Sequence, residues 1–185
     1  MKKRQKTVLV TFIVVVCVLI AAMSGFMLIR QYYPLEYRDV IKSESAKYGL
    51  DPYFVCSIIW TESKFKENAV SEDGAQGLMQ LMPSTAEWIA KKMDDKNVSA
   101  DNAMDPATNI AMGCWYLDHL MDKFKNEELV AAAYNAGQGK VTEWLKDKTV
   151  SKDGEVLHNI PYEETRNYVE RVDRAYDFYK ALYSF

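Results

Sequence analysis

Glu62 is the residue whose setting most invites chemistry. It follows the run Tyr53-Phe54-Val55-Cys56-Ser57-Ile58-Ile59-Trp60-Thr61, which is apolar nearly all round. A carboxylate behind such a run either escapes into a cleft or is held in a low-dielectric interior, and near a helix C-terminus it also meets the negative end of the dipole. Both effects disfavour the charged form and lift the pKa above the ordinary glutamate value of about 4.3, as a general acid requires. The competing reading is an ordinary last-turn residue, because most of the 26 acidic residues sit on polar faces or in loops where solvation explains them. Downstream, Gly74-Ala75-Gln76-Gly77-Leu78-Met79-Gln80-Leu81-Met82-Pro83 sets two glycines around a polar and apolar mixture. The glycines let backbone approach a ligand, and the Gln80 amide can bond a sugar hydroxyl or an acetamide; as a bare pattern the segment is a tight turn. Ala133-Tyr134-Asn135-Ala136-Gly137 presents a phenol and an amide where a helix ends, or is only a C-cap.

Other chemistries find less support. His119 and His158 are the only histidines, lie far apart and belong to no HExxH or Cys/His cluster, so no metal or cofactor is expected and each reads as a surface residue. There is no GxSxG elbow and no Walker-type glycine loop. The search therefore narrows to carboxylates.

The elements that must position these residues are helical. Pro34 to Gly49 reads as a first helix, with Tyr37, Val40, Ile41 and Tyr48 on one side. Asp51-Pro52 supplies an N-cap and a favoured first residue for the central helix that ends near Glu62. Residues 66–82 carry turn chemistry and read as a loop or short β-hairpin. Met82-Pro83 opens a helix through Met93, and a polar loop from Asp94 to Asn102 follows. Asp105-Pro106 repeats the cap-and-proline start ahead of the stripe Ile110, Cys114, Leu117, Leu120, Met121 and Phe124. Short helices over Glu127–Asn135 and Gly139–Asp147, a loop over Lys148–Ile160 and a long helix over Glu163–Tyr183 complete the chain. With no internal repeat and no βαβ alternation, the prediction is a compact, mainly α domain.

The N-terminal end is of another kind. Val8 to Ile29 is 22 residues without a charge, and four bases precede it. A helix needs about 20 apolar residues to cross a bilayer, and the positive-inside rule keeps the basic end in the cytoplasm. A cleaved signal peptide is the competing reading, weakened by the length of the segment and by the apolar residues after Ala21-Ala22-Met23. The expected organisation is a basic tail over residues 1–7, a membrane anchor over 8–29, a linker over 30–34 and an extracytoplasmic domain over 35–185. From Gln31 onward there are 18 basic and 26 acidic residues, a net of −8, which excludes nucleic acid as a natural partner. Cys56 and Cys114 could pair outside the cytoplasm, but their apolar helical settings favour two free, buried thiols.

Five ordered blocks carry a resemblance. Glu62-Ser63-Lys64-Phe65, the Gly74 to Pro83 segment, Asn109-Ile110 through Tyr116-Leu117, Ala133 to Gly137, and Ile160-Pro161-Tyr162-Glu163-Glu164-Thr165-Arg166-Asn167-Tyr168-Val169 together resemble the catalytic domain of soluble-type lytic transglycosylases, lysozyme-like enzymes of the goose-type branch. The resemblance covers about residues 35 to 180. It implies a lysozyme-like α+β superfamily fold with a small loop or β-hairpin lining a glycan cleft. It also implies that Glu62 alone protonates the glycosidic oxygen between N-acetylmuramic acid and N-acetylglucosamine in peptidoglycan, then acts as base on the muramyl 6-hydroxyl to give a 1,6-anhydro end. By the same resemblance Ser71, Gln80 and Met82 line the cleft, Tyr134 lies close to Glu62, Asn135 belongs to the same wall and Glu164 lies near the substrate. Arg166 is as plausible in a structural ion pair; Tyr168 faces cleft or core, and its helical stripe favours core. The superhelical and wall-binding domains of larger relatives have no counterpart here, so cleft and anchor are expected to retain the substrate.

Two rivals stand beside this reading: a muramidase that uses water on the same fold, and a non-catalytic glycan-binding module of an envelope assembly. A helical interaction domain with no glycan affinity is a third.

Overall fold

The computed structural model describes residues 2–93 and 95–185, and the side chains of residues 2–4 lie outside that description. The tips of two expected segments, Met1 of the basic tail and Asp94 of the polar loop, therefore fall outside the described residues. The chain divides into two compact units, Met1–Pro34 and Leu35–Phe185. The first is a single helix, α1 (Lys2–Tyr32), whose apolar stretch Gln5–Tyr32 is long and apolar enough to cross a membrane by length and composition. Residues 30–32, expected in a linker, continue this helix.

The second unit is helical throughout, with α2 (Arg38–Tyr48), α3 (Pro52–Ser63), α4 (Pro83–Lys92), α5 (Pro106–Phe124), α6 (Glu127–Ala136), α7 (Gln138–Lys146) and α8 (Glu163–Leu182). A one-turn 3₁₀ helix at Ala100–Asn102 interrupts the polar loop before α5. Helix α2 begins at Arg38 rather than at Pro34, because Tyr37 before it is left-handed (φ 52°); Gly49, at φ 64°, ends it. The cap-and-proline starts behave as their chemistry requires. The Asp51 carboxylate accepts the N–H of Tyr53 at 2.8 Å, and that of Asp105 accepts Thr108 at 2.9 Å.

Helix α3 is the centre of the unit. Phe54 through Trp60 are all buried, and Val55, Cys56, Ile58 and Ile59 have no exposed surface. Each such aliphatic side chain contributes about 1.5–3 kcal/mol on burial, so this helix is an anchored platform for whatever stands at its end. The polar Ser57 and Ser63 are tolerated inside because their hydroxyls donate to the carbonyls of Phe54 and Ile59. Helix α8 lies antiparallel along α3, pairing Tyr176 with Tyr53 at one end and Tyr168 with Glu62 at the other. Cys56 and Cys114 are free and buried.

Among the described residues there is no strand. Between α3 and α4 the chain forms two isolated antiparallel bridges, Val70 with Gln76 and Gln76 with Leu81, which share one residue. The hairpin alternative thus reduces to a doubly bridged loop, too short on either side of Gly77 for a ladder.

Candidate functional site

Glu62 stands in the last turn of α3, half-buried at the end of the apolar platform. Burial pushes its pKa up from 4.5 to about 7, against the opposing pull of the Tyr168 hydroxyl and of the Arg171 and Lys64 cations. The Tyr168 hydroxyl donates to Glu62 Oε1 at 2.7 Å. Tyr168 is itself only 2% exposed, so the stripe of α8 that packs the core also supplies a partner to the acid. Of the two alternatives posed above, the ring takes the core, while its hydroxyl reaches the carboxyl of Glu62. Among the described residues no carboxylate is among the groups that act on Glu62. Of the nearby loop acids, Glu67 accepts the Tyr37 hydroxyl at 2.5 Å, and Glu72 and Asp73 are exposed.

The loop from Ala69 to Met82 is tied by its own backbone bonds. The Gly77 N–H donates to the carbonyl of Ala69, and Gln76 exchanges both backbone bonds with Leu81 at 3.0 Å. Beneath it Asn109, fully buried in the first turn of α5, accepts the Met79 N–H at 2.7 Å and donates to the carbonyls of Ala103 and Gln76. Gly77 (φ 77°) must be glycine here, since a Cβ would come within 2.5 Å of the Asn109 amide. Gly113 likewise makes room for the Met79 side chain, whose sulfur would lie 2.1 Å from an added Cβ. Asn109 is a positioning residue that the sequence reading passed over; its signal was an amide one turn inside an apolar stripe.

The expected glycan-facing residues fall as follows. Gln80, left-handed at φ 46°, donates its amide nitrogen to the carbonyls of Ala69 and Gly77, so only its Oε1 is left to face a ligand. Ser71 is exposed and accepts the Ala75 N–H, with its hydroxyl proton still to give. Met82 precedes α4 as its N-cap and is exposed. Tyr134 donates its hydroxyl to the Met79 carbonyl at 2.8 Å, joining α6 to the loop, and it feels the charge of Glu62. Asn135, half-buried, follows it in the last turn of α6. Glu164 is exposed in the first turn of α8, four residues before Tyr168 and so on the same helical face. The structure joins Glu62 directly to Tyr168; Tyr134, which feels the charge of Glu62, bonds to Met79 of the loop that bears Ser71, Gln80 and Met82. Among the described residues Arg166 enters no ion pair; its guanidinium donates to the Ile160 carbonyl at 2.5 Å.

A second correction concerns His119. Rather than lying free on the surface, it is half-buried and stacked on Trp115, with ring centroids 5.6 Å apart and planes 4° from parallel, and edge-on to Trp88 at 5.2 Å. Trp88 and Tyr116 line a cavity of about 200 Å³ with Ser84, Thr85 and Gln138. Tyr116 in turn meets Tyr134 at 5.4 Å, so aromatic faces and hydroxyls continue from the Glu62 region along α4 and α5. Flat apolar faces beside hydroxyl and amide groups are the chemistry that receives pyranose rings. The spacing of Trp115 and His119, four residues on one helix, was the available signal. A larger pocket of about 630 Å³ opens among α3, α6 and α8, lined by Phe54, Ala131, Val172, Tyr176 and several carboxylates, without Glu62. Among the described residues no cluster of three or more His, Cys, Asp or Glu side chains is arranged to hold a metal ion.

Comparison with known proteins gives the family and the fold of the second unit. Residues 39–156 match the family described as the transglycosylase SLT domain. The chain is 35% identical over 154 residues to the soluble lytic murein transglycosylase of Escherichia coli K12, covering 82% of this chain and 24% of that protein. It is 30% identical to a membrane-bound lytic murein transglycosylase C of Histophilus somni, covering 79% of this chain and 46% of that one. Among solved structures, the 70-kDa soluble lytic transglycosylase of Escherichia coli superposes with a TM-score of 0.72 at 30% identity, over 83% of this chain and 25% of that one. An inactive glutamate-to-glutamine mutant of the Pseudomonas aeruginosa lytic transglycosylase Slt gives 0.70 at 34% identity, over 81% and 25%. The chain thus spans about a quarter of the length of these soluble relatives. With a helical lysozyme-like fold, a half-buried glutamate at the end of its central helix and a family match across most of the second unit, the chain belongs to the transglycosylase SLT domain family.

Proposed function

We propose that this chain is a peptidoglycan lytic transglycosylase held at the membrane by its N-terminal helix, with Glu62 as its single acid and base. The observation that carries the proposal is the state of Glu62: a carboxyl whose burial keeps it protonated up to about pH 7, with a tyrosine on one oxygen and, among the described residues, no carboxylate partner. Such a group can give its proton to the oxygen between N-acetylmuramic acid and N-acetylglucosamine as that bond breaks. The resulting carboxylate then takes the proton of the muramyl 6-hydroxyl, whose oxygen closes on C1. The products are a free sugar hydroxyl and a 1,6-anhydromuramyl end, and no water is consumed. Two-carboxylate glycosidases set their pair about 5–5.5 Å or about 6.5–9.5 Å apart. A lone acid suits a route in which the 2-acetamido group supports the cationic centre. Tyr134 and Asn135 on one side, Ser71, Gln80 and Met82 on the loop and Glu164 on α8 are the residues assigned to hold the sugars. The named activities of the relatives support the same substrate.

The proposed organisation keeps residues 8–29 as a membrane-spanning segment with the preceding bases in the cytoplasm, and residues 35–185 outside as the catalytic domain. Because α1 runs through Tyr32, the linker shrinks to residues 33–34. A full-length chain found in the membrane fraction supports the anchor; a shorter, soluble mature form would make the segment a signal peptide. The catalytic proposal is tested by digesting purified peptidoglycan with the full chain and weighing the released muropeptides, with Glu62→Gln as control. Anhydro ends absent from the control are expected. Reducing muramic acid ends would make the protein a hydrolytic muramidase, and glycan binding without products would make it a binding module.

A further inference from the structure

The cations beside Glu62 exceed what its own chemistry asks for. Lys64 follows it by two residues as the left-handed C-cap of α3 (φ 55°), with Nζ 3.1 Å from the centroid of the Trp60 ring. Arg171 lies three residues beyond Tyr168, its guanidinium carbon 5.8 Å from the centre of the ring whose hydroxyl holds Glu62. Aromatic faces thus steady both cations. Both act on Glu62, and Arg171 acts on Lys64, whose pKa is drawn down to about 8 by burial first and Arg171 second. Among the described residues neither cation joins a salt bridge. Nor can Glu62 serve as their counter-ion, since a general acid must be protonated when substrate arrives. Two cations thus lie near the acid, each on its own aromatic ring and neither in a salt bridge among the described residues, on a domain whose net charge is −8.

We propose that Lys64 and Arg171 form an anion-binding rim beside Glu62 that receives a carboxylate of the peptide stems borne by the glycan strand. The inference rests on the transglycosylase reading above. The aminosugar backbone itself offers neutral hydroxyl and acetamide groups; the free carboxylates belong to the stems. One of these would accept charge-assisted hydrogen bonds from Nζ and from the guanidinium fork. The contact would fix the register of the strand, setting a stem-bearing muramyl residue against the acid.

The test measures binding with the full chain in detergent and in a Glu62→Gln background, so that the probes are not consumed. The probes are short peptidoglycan fragments with stems intact, the same fragments with their stem carboxylates amidated, and a chitooligosaccharide of equal length, which carries no carboxylate. Intact stems are expected to bind about 10-fold more tightly than the other two probes, a difference that added salt erodes. In Lys64→Gln/Arg171→Gln that ratio should fall toward one, and in Lys64→Arg/Arg171→Lys it should be largely restored. A merely structural role would weaken all three probes in proportion and leave the ratio unchanged, which overturns the proposal, as does an intact-stem preference that survives amidation. Loss of the ratio's dependence on these residues in an enzyme that still makes anhydro products would sink this inference alone. Binding of none of the probes by the folded chain would remove it together with the reading beneath it.

Discussion

Helix α3 has an acid at each end, and each acid accepts a hydrogen bond from a tyrosine of α8. Asp51 takes the hydroxyl of Tyr176 at 2.9 Å, and Glu62 takes that of Tyr168 at 2.7 Å. The antiparallel course of the two helices makes both pairs possible. Their surroundings differ because the helix is polar. Asp51 stands before the first turn, where unpaired N–H groups point outward, and its other oxygen accepts the Tyr53 N–H at 2.8 Å. Glu62 stands in the last turn, where the backbone offers carbonyls and burial outweighs the pull of Tyr168, Arg171 and Lys64, so its pKa climbs to about 7. The same two functional groups give a helix cap at one end and a stored proton at the other. What separates them is position along one dipole and one hydrophobic run.

Substitutions at the two ends should therefore part company. The largest effect belongs to Glu62→Gln, which should lower turnover by roughly 10³-fold or more while binding of glycan persists. Asp51→Ala should keep turnover within a few-fold and instead cost about 1–2 kcal/mol of stability in denaturant unfolding. An Asp51 variant that melts normally yet loses activity would erase the distinction.

Stability against pH gives the next largest difference. Glu62 holds its proton in the folded chain up to about pH 7, whereas an unfolded chain releases it near the ordinary 4.5. The folded state binds the extra proton between those values. The stabilisation is therefore complete below about 4.5 and drains away as pH rises through about 7. The loss amounts to at most about 3 kcal/mol. Glu62→Gln, neutral at every pH, should melt higher than the native chain at about pH 8.5 and alongside it at about pH 4. Equal melting at both would mean that Glu62 is not held protonated.

The tyrosines sharpen the comparison further. Tyr168→Phe removes a bond to the charged form of Glu62, so the pH at which kcat/KM falls should move upward; Tyr176→Phe should leave that profile in place. A profile insensitive to Tyr168 would show that its hydroxyl only packs. The smallest expected effect is at Tyr134→Phe, which loses one hydrogen bond to the Met79 carbonyl, about 1 kcal/mol. It should slow turnover roughly fivefold with less change in binding, which unchanged kinetics would contradict.

Much of this was legible before any coordinates. Asp51-Pro52 and Asp105-Pro106 mark helix starts by local chemistry, and the apolar run before Glu62 already announces a carboxyl in a poor solvent. What the sequence withheld depends on one element meeting another. The stripe on α8 gives the buried face of Tyr168 but not the atom its hydroxyl reaches, which is set by the antiparallel pairing with α3. Gln80 reads as a free amide because its two carbonyl acceptors, Ala69 and Gly77, come together only when the loop closes. Asn109 reads as a polar intrusion into a core helix until the same loop lies on it. Tyr37, by contrast, ended the expected first helix early through a left-handed backbone that its residue type does not announce.

The most direct test is a carboxyl ¹³C titration of Glu62 in the full chain, made on protein labelled at glutamate and assigned with Glu62→Gln. The account predicts a midpoint near 7, rising further in Tyr168→Phe. A midpoint at the ordinary 4.5 would leave Glu62 charged at neutral pH, with no proton to give, and would contradict its role as the acid of this site.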